Sequence, residues 1–197
     1  MTSHTLGAFR NPTLEEQSQA QQSECTFCQI ASGSIPAHTV YEDAQTLAFL
    51  DILPIRKGHT LVVPKRHIGT LGEMDDGSAE SVARTLVKVT RGVGRAMGDD
   101  RLQAITNQGY AQIVPHVHFH IVPAPPIPGA ASSSTSSKMT SSSKTQSQSQ
   151  RKPNALSLFG HGREELDDDE AVELAGRIRE GIRQTEQERQ SREKAKL

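Results

Sequence analysis

Apolar residues fall along this chain in short blocks, and the spacing inside each block predicts a different element. Thr39-Val40-Tyr41 and Thr46-Leu47-Ala48-Phe49-Leu50 flank the polar stretch Glu42-Asp43-Ala44-Gln45, the pattern of a two-stranded hairpin. His59-Thr60-Leu61-Val62-Val63 reads as a third strand stopped by Pro64. Between Ser78 and Met97 the period lengthens. Val82, Leu86, Val89 and Val93 recur at helical steps, one face of an amphipathic helix with Asp75, Asp76 or Ser78 as its cap. Gly92 and Gly94 are expected to weaken its last turn. Leu102 to Thr106 is a fourth strand, and Asn107 to Gln112 is a connecting loop. The last strand, His116-Val117-His118-Phe119-His120-Ile121-Val122, ends at Pro123.

Outside these blocks the pattern fades. Residues 1–23 are polar and read as a disordered leader, residues 24–128 as one folded domain, and the Ser-rich stretch 129–153 as a flexible linker. Residues 154–197 form a largely helical extension. Its helix is expected to start near Asp167–Asp169, whose carboxylates suit an N-terminus. A stripe of Ala171, Leu174, Ala175, Ile178 and Ile182 would dock on the domain or on a partner, with Gln184 to Leu197 solvated. No internal repeat is present.

Composition narrows the class. A net charge of -1 gives no electrostatic case for nucleic acid or an anionic membrane. No apolar run approaches the roughly 20 residues of a spanning helix, and residues 1–23 lack the apolar core of a secretion signal. The only cysteines, Cys25 and Cys28, are too few for a secreted disulfide framework. The expectation is a soluble protein of the cytoplasm, with the nucleus as a second compartment.

The chemistry concentrates in the last strand. Side chains alternate across a strand, so His116, His118 and His120 share one side and Val117, Phe119 and Ile121 the other. The steps between the histidines are roughly 7 Å. A row of imidazoles offers nucleophilic, acid–base and metal-binding chemistry near neutral pH. The bland alternative, a half-buried strand whose polar face happens to be histidine, gives such a run little purpose. Cys25-Thr26-Phe27-Cys28 has three readings: zinc half-site, redox pair or coincidence. His67 and His116 could complete a zinc site. Asp51 closes a strand, where a carboxylate can meet a ligand's hydroxyls or simply form a turn.

His116 to Val122 resembles the histidine triad (HIT) signature, in which three histidines alternate with apolar residues. Cys25 to Ile30, Ile35-Pro36, Tyr41-Glu42-Asp43, Ala48 to Asp51, Gly58 to His67 and Asn107-Gln108-Gly109 are similar in order and spacing to the Hint-like branch. This resemblance implies an α+β fold, an antiparallel sheet of about five strands with one main helix, in a homodimer joined through helix and strand. It implies a purine nucleotide substrate carrying an AMP moiety, cleaved at the α-phosphate. His118 would be the nucleophile, with His120 and His59 on the phosphate or the leaving group. Asp51 would hold the ribose, Phe27, Ile30, Phe49, Ile52 and Leu61 would surround the base, and Asn107 and Gln112 would position sugar and phosphate. Zinc would be held by Cys25, Cys28, His67 and His116, as in several microbial members.

Two departures stand at the leaving group. Hint-like proteins commonly carry Gly-Gln-Ser where this chain has Ala111-Gln112-Ile113, and the preceding loop is about two residues short. The expected activity is hydrolysis of adenosine 5′-phosphoramidates. The alternatives are a Fhit-like dinucleoside polyphosphate hydrolase and a low-turnover nucleotide-binding scaffold.

Overall fold

The computed structural model describes residues 22–125 and 164–196. Residues 1–21, 126–163 and 197, which include most of the expected leader and the whole of the 129–153 linker, lie outside the described residues. Five strands make one antiparallel sheet: β1 (Thr39–Glu42), β2 (Thr46–Leu50), β3 (Thr60–Pro64), β4 (Leu102–Ile105) and β5 (Phe119–Pro123), in the order β1-β2-β3-β5-β4. The helices are α1 (Thr26–Ala31), α2 (Asp76–Met97) and α3 (Asp168–Lys194). This is the expected α+β architecture, with a second long helix after the sheet. No helix among the described residues is long and apolar enough to cross a membrane.

Both faces of the sheet are covered, which is why β2 and β3 are buried at every position instead of alternating with polar residues. Ala48, Leu50, Val62 and Ile121 pack with Val82, Val89 and Val93 of α2. Leu47, Phe49, Leu61 and Val63 turn to the other face and pack with Cys25 and Phe27 of the short N-terminal helix. A buried pair of hydroxyls, Thr46 Oγ1 and Thr85 Oγ1 at 2.7 Å, ties β2 to α2 without leaving either unsatisfied.

The expected helix is present and starts two residues early. Asp75 caps it by accepting from the Ser78 amide, and Gly98, in the left-handed region, ends it. Gly92 and Gly94 do not fray its last turn. Both are buried, and Gly92 is where α3 crosses at close range. Sequence propensity alone makes glycine a weak point; here its missing Cβ lets two helix backbones approach.

The apolar stripe of α3 docks on the domain itself. Ala171, Leu174, Ala175, Ile178 and Ile182 are all buried in the same cluster as Val89 and Val93. Each large aliphatic side chain fully buried there contributes roughly 1.5–3 kcal/mol of transfer free energy. Arg177 donates to the Ala96 carbonyl and Arg179 to the Thr39 carbonyl (2.6 Å), fixing the helix along α2 and β1. The first half of α3 is therefore part of the core.

Candidate active site and metal cluster

Regular strand pairing on β5 begins only at Phe119, later than the expected His116. Ahead of it the chain is held by other bonds: the His116 amide donates to Val114 and the Val117 amide to Ile68. Alternation still places the three histidines on the Phe27 side of the sheet. The Phe27 ring lies 5.9 Å from His116 and 5.1 Å from His118, and His118 lies 4.9 Å from His120, centre to centre. The rings lean together, well inside the roughly 7 Å backbone step.

Backbone carbonyls decide the tautomers, because a carbonyl oxygen only accepts. His118 Nδ1 is 2.6 Å from the His116 carbonyl, so that nitrogen carries the proton and Nε2 keeps a lone pair. His116 Nε2 is 2.9 Å from the Pro64 carbonyl, so its Nδ1 is the free donor of electrons. Burial lowers the pKa of His118, against opposing pulls from the His116 carbonyl and the Asp51 charge, and keeps the ring neutral. Burial drives His116 further down, to about 4, with the neighbouring His67 and His118 adding to it and the Pro64 carbonyl opposing.

The Nδ1 atom of His116 faces two sulfurs, 3.4 Å from Cys25 Sγ and 3.5 Å from Cys28 Sγ, and Cys28 Sγ is 3.2 Å from His67 Nδ1. One ligand atom from each of the four residues lies within 4.8 Å of every other. A tetrahedral ion with N and S bonds of about 2.0–2.3 Å has ligand–ligand edges of roughly 3.5 Å, so the cluster fits a closed Cys₂His₂ zinc site. Burial and the adjacent Cys25 thiol push Cys28 up to about 12, a penalty that a divalent cation would reverse.

Behind the triad runs a second chain of polar contacts. His59, fully buried just before β3, has Nε2 2.9 Å from His120 Nδ1. Its Nδ1 is 3.2 Å from both Asp51 Oδ2 and the Ile55 amide. With the Ile55 amide donating, neutral His59 gives its Nε2 proton to His120 Nδ1. Neutral His120 then holds its own proton on Nε2. Asp51, His59 and His120 also gather within 4.8 Å, but His59 faces the other two with opposite edges of its ring. A proton relay through Asp51 therefore forms only when His59 is protonated at Nδ1 as well, and the three do not converge on one ion.

The remaining expected residues divide. Phe27, Phe49 and Leu61 are packed together, with Ile30 against them, beside the triad. Ile52 is 58% exposed at the rim. Asn107 follows β4, whose Ile105 pairs with His120. The Gln112 side chain bridges the Gly69 carbonyl and the Gly109 amide, so in this structure it shapes the loop. Ile113, in the place of the family's serine, is 94% exposed and brings no hydroxyl. Pro64 and Ile55 escaped sequence reasoning, because each acts through a backbone atom that any residue supplies.

Comparison with known proteins follows this geometry. Residues 32–126 match the family model described as the HIT domain. An uncharacterized HIT-like protein of Methanocaldococcus jannaschii is 48% identical over 101 residues, 50% of this chain and 78% of that one. An adenosine 5′-monophosphoramidase of Schizosaccharomyces pombe is 43% identical over 103 residues, 51% of this chain and 74% of that one. Among solved structures, a zinc-bound histidine triad family protein of Mycobacterium smegmatis superposes with a TM-score of 0.60 at 25% identity, covering 84% of this chain and 98% of that one.

Proposed function

The chain belongs to the HIT domain family, and on that premise we propose that it is a nucleotide hydrolase cleaving purine nucleoside 5′-phosphoramidates, AMP-amine conjugates, at the α-phosphate. The observation that carries the reading is the 2.6 Å bond from His118 Nδ1 to the His116 carbonyl, which leaves Nε2 bare on a neutral, buried ring. Nε2 attacks the α-phosphorus, the P–N bond breaks, and AMP is held as a phosphoramidate on His118. The departing amine takes the proton from His120 Nε2; His59, protonated on both nitrogens against the Asp51 carboxylate for this step, passes its Nε2 proton onto His120 Nδ1 and is left neutral with its remaining proton on Nδ1. Water then attacks the same phosphorus and delivers its proton back to the His120 side, so that AMP leaves and His118 is restored. Placing the acid typically contributes on the order of 10²–10⁴-fold, and splitting one displacement into two replaces a difficult step with two easier ones.

Asp51 binds the ribose hydroxyls in this account. Phe27, Ile30, Phe49, Ile52 and Leu61 surround the base, and Asn107 and Gln112 border sugar and phosphate. Zinc held by Cys25, Cys28, His67 and His116 would be structural and would brace the His116 carbonyl that sets His118. A zinc-bound relative of the same fold supports the metal, and a relative with phosphoramidase activity in its name supports the substrate class. The homodimer would use the outer edge of β4, which pairs with no other strand among the described residues, and the exposed side of α2 at Val87.

One observation favours a second reading. Ile113 offers no hydroxyl to a leaving nitrogen, and a dinucleoside polyphosphate, whose leaving group is already acidic, needs none. Turnover of an AMP-amine conjugate beside a diadenosine polyphosphate separates the two. Faster release from the amine conjugate, abolished in His118→Ala, is the expected result; faster release from the polyphosphate would move the activity to the second reading. No turnover of either, with AMP bound, would leave a binding scaffold.

A further inference from the structure

We propose that the C-terminal extension is a positioning element of the nucleotide site: residues 166–170 hold the loop between β2 and β3 in the geometry that presents Asp51 to a ribose. The proposal rests on the reading of Asp51 as the ribose ligand.

This loop, residues 51–59, carries Asp51 at one end and His59 at the other and contains no helix or strand. Three of its apolar residues, Ile52, Leu53 and Ile55, are 58%, 44% and 44% exposed, so little apolar burial anchors its middle. Polar ties hold it instead. Within the loop, the Leu53 amide donates to Asp51 Oδ1 at 2.9 Å and the His59 amide to the Arg56 carbonyl at 3.0 Å. Outside it, Arg56 reaches the Pro123 carbonyl at 3.4 Å, His59 Nε2 lies 2.9 Å from His120 Nδ1, and further ties come from the extension.

Two such ties, and a third contact at the strand end beside Asp51, come from five consecutive residues. The Leu166 amide donates to the Ile52 carbonyl at 2.9 Å, one residue past Asp51. Glu170 pairs with Lys57 near the far end of the loop. Asp168 meets His38 Nε2 at 3.0 Å, and the His38 carbonyl accepts the Leu50 amide at 3.0 Å, one residue before Asp51. The arm that makes these contacts is itself fixed, because Ala171 and Leu174 are buried in the core immediately after it. A carboxylate that must meet two ribose hydroxyls tolerates little displacement, and its neighbours on both sides are set by the same short arm. Residues 166–170 lie beyond the matched HIT domain, which ends at 126.

The test is calorimetric binding of AMP and of 2′,3′-dideoxy-AMP. Leu166→Pro removes the amide that Ile52 accepts and sits outside α3, whose cap is Asp167; Leu166→Ala keeps the amide and serves as control. Glu170→Gln removes the ion pair at an exposed position and leaves the fold intact. The double variant Leu166→Pro/Glu170→Gln is expected to lose AMP affinity about five- to tenfold, and Glu170→Gln alone about threefold, with dideoxy-AMP nearly unaffected. Leu166→Ala is expected to match wild type. An AMP affinity within twofold of wild type in Glu170→Gln and in the folded double variant would overturn the proposal, and so would an equal loss for both ligands. Asp51→Ala separates the two claims. If it leaves the preference for AMP over dideoxy-AMP intact, the ribose reading falls and the proposal with it. If it abolishes the preference while the arm variants do not, the proposal alone falls.

Discussion

Gly181→Ala and Gly176→Ala lie five residues apart on α3 and should change stability in opposite directions. In a helix interior, replacing Gly by Ala gains about 0.8–1 kcal/mol from backbone entropy. At Gly176 the added Cβ would meet only the Arg179 guanidinium at 3.8 Å, so this gain is realised. At Gly181 the Cβ would lie 2.6 Å from the Gly92 carbonyl oxygen and 3.3 Å from Gly92 Cα. Those are backbone atoms of α2, and no rotamer change relieves them. The helices must separate by several tenths of an ångström, which loosens Ile178 and Ile182 against Val89 and Val93. Overpacking of this kind costs about 1–3 kcal/mol. Set against the propensity gain, Gly181→Ala should destabilise by about 0–2 kcal/mol while Gly176→Ala stabilises by somewhat under 1. Urea unfolding with an unchanged slope reads both. Stabilisation by Gly181→Ala would mean that α3 does not cross α2 at Gly92, and the docked extension would be wrong.

Two further outcomes concern the site. Metal analysis of the purified protein should find one zinc per chain. Stripping it with a chelator should lower the melting temperature by on the order of 10 °C, given about 4 kcal/mol of binding at a thousandfold excess over Kd. Cys28→Ser should abolish the chelator effect, and a wild-type protein indifferent to chelator would refute the site. Because burial lowers the pKa of His118, and the reactive form is neutral, the acid limb of kcat/KM should fall below the ordinary imidazole value of 6.5. A cation on His116 would push the same way. An acid limb above 6.5 would show that His118 is not the buried neutral group described.

Much of the fold was legible because period and burial agree. The hairpin of β1 and β2 follows from two apolar runs around Asp43, whose carboxylate accepts the amides of Gln45 and Thr46 in the turn. Helix α2 follows from Val82, Val89 and Val93. Two features were not legible. The late start of β5 depends on the Val117 amide reaching Ile68, a contact between residues far apart in sequence. The buried glycines depend on a helix crossing, and propensity points the other way. At the site, the triad and the Cys-x-x-Cys stood out by residue type, while the tautomer of His116 is set by the Pro64 carbonyl, which no pattern marks. The link from Asp51 through His59 to His120 was equally hidden. Its members are 61 and 8 residues apart along the chain and meet only because β3 lies beside β5.

The central claim is that His118 Nε2 takes the nucleotide. Rapid acid-free quenching of the enzyme during turnover of an AMP-amine conjugate, followed by peptide mass analysis, tests it directly. The account predicts AMP attached to the peptide carrying His116 to His120, localised on His118 and absent from His118→Ala. Continued turnover with no covalent species, or AMP localised on a different residue, would contradict it.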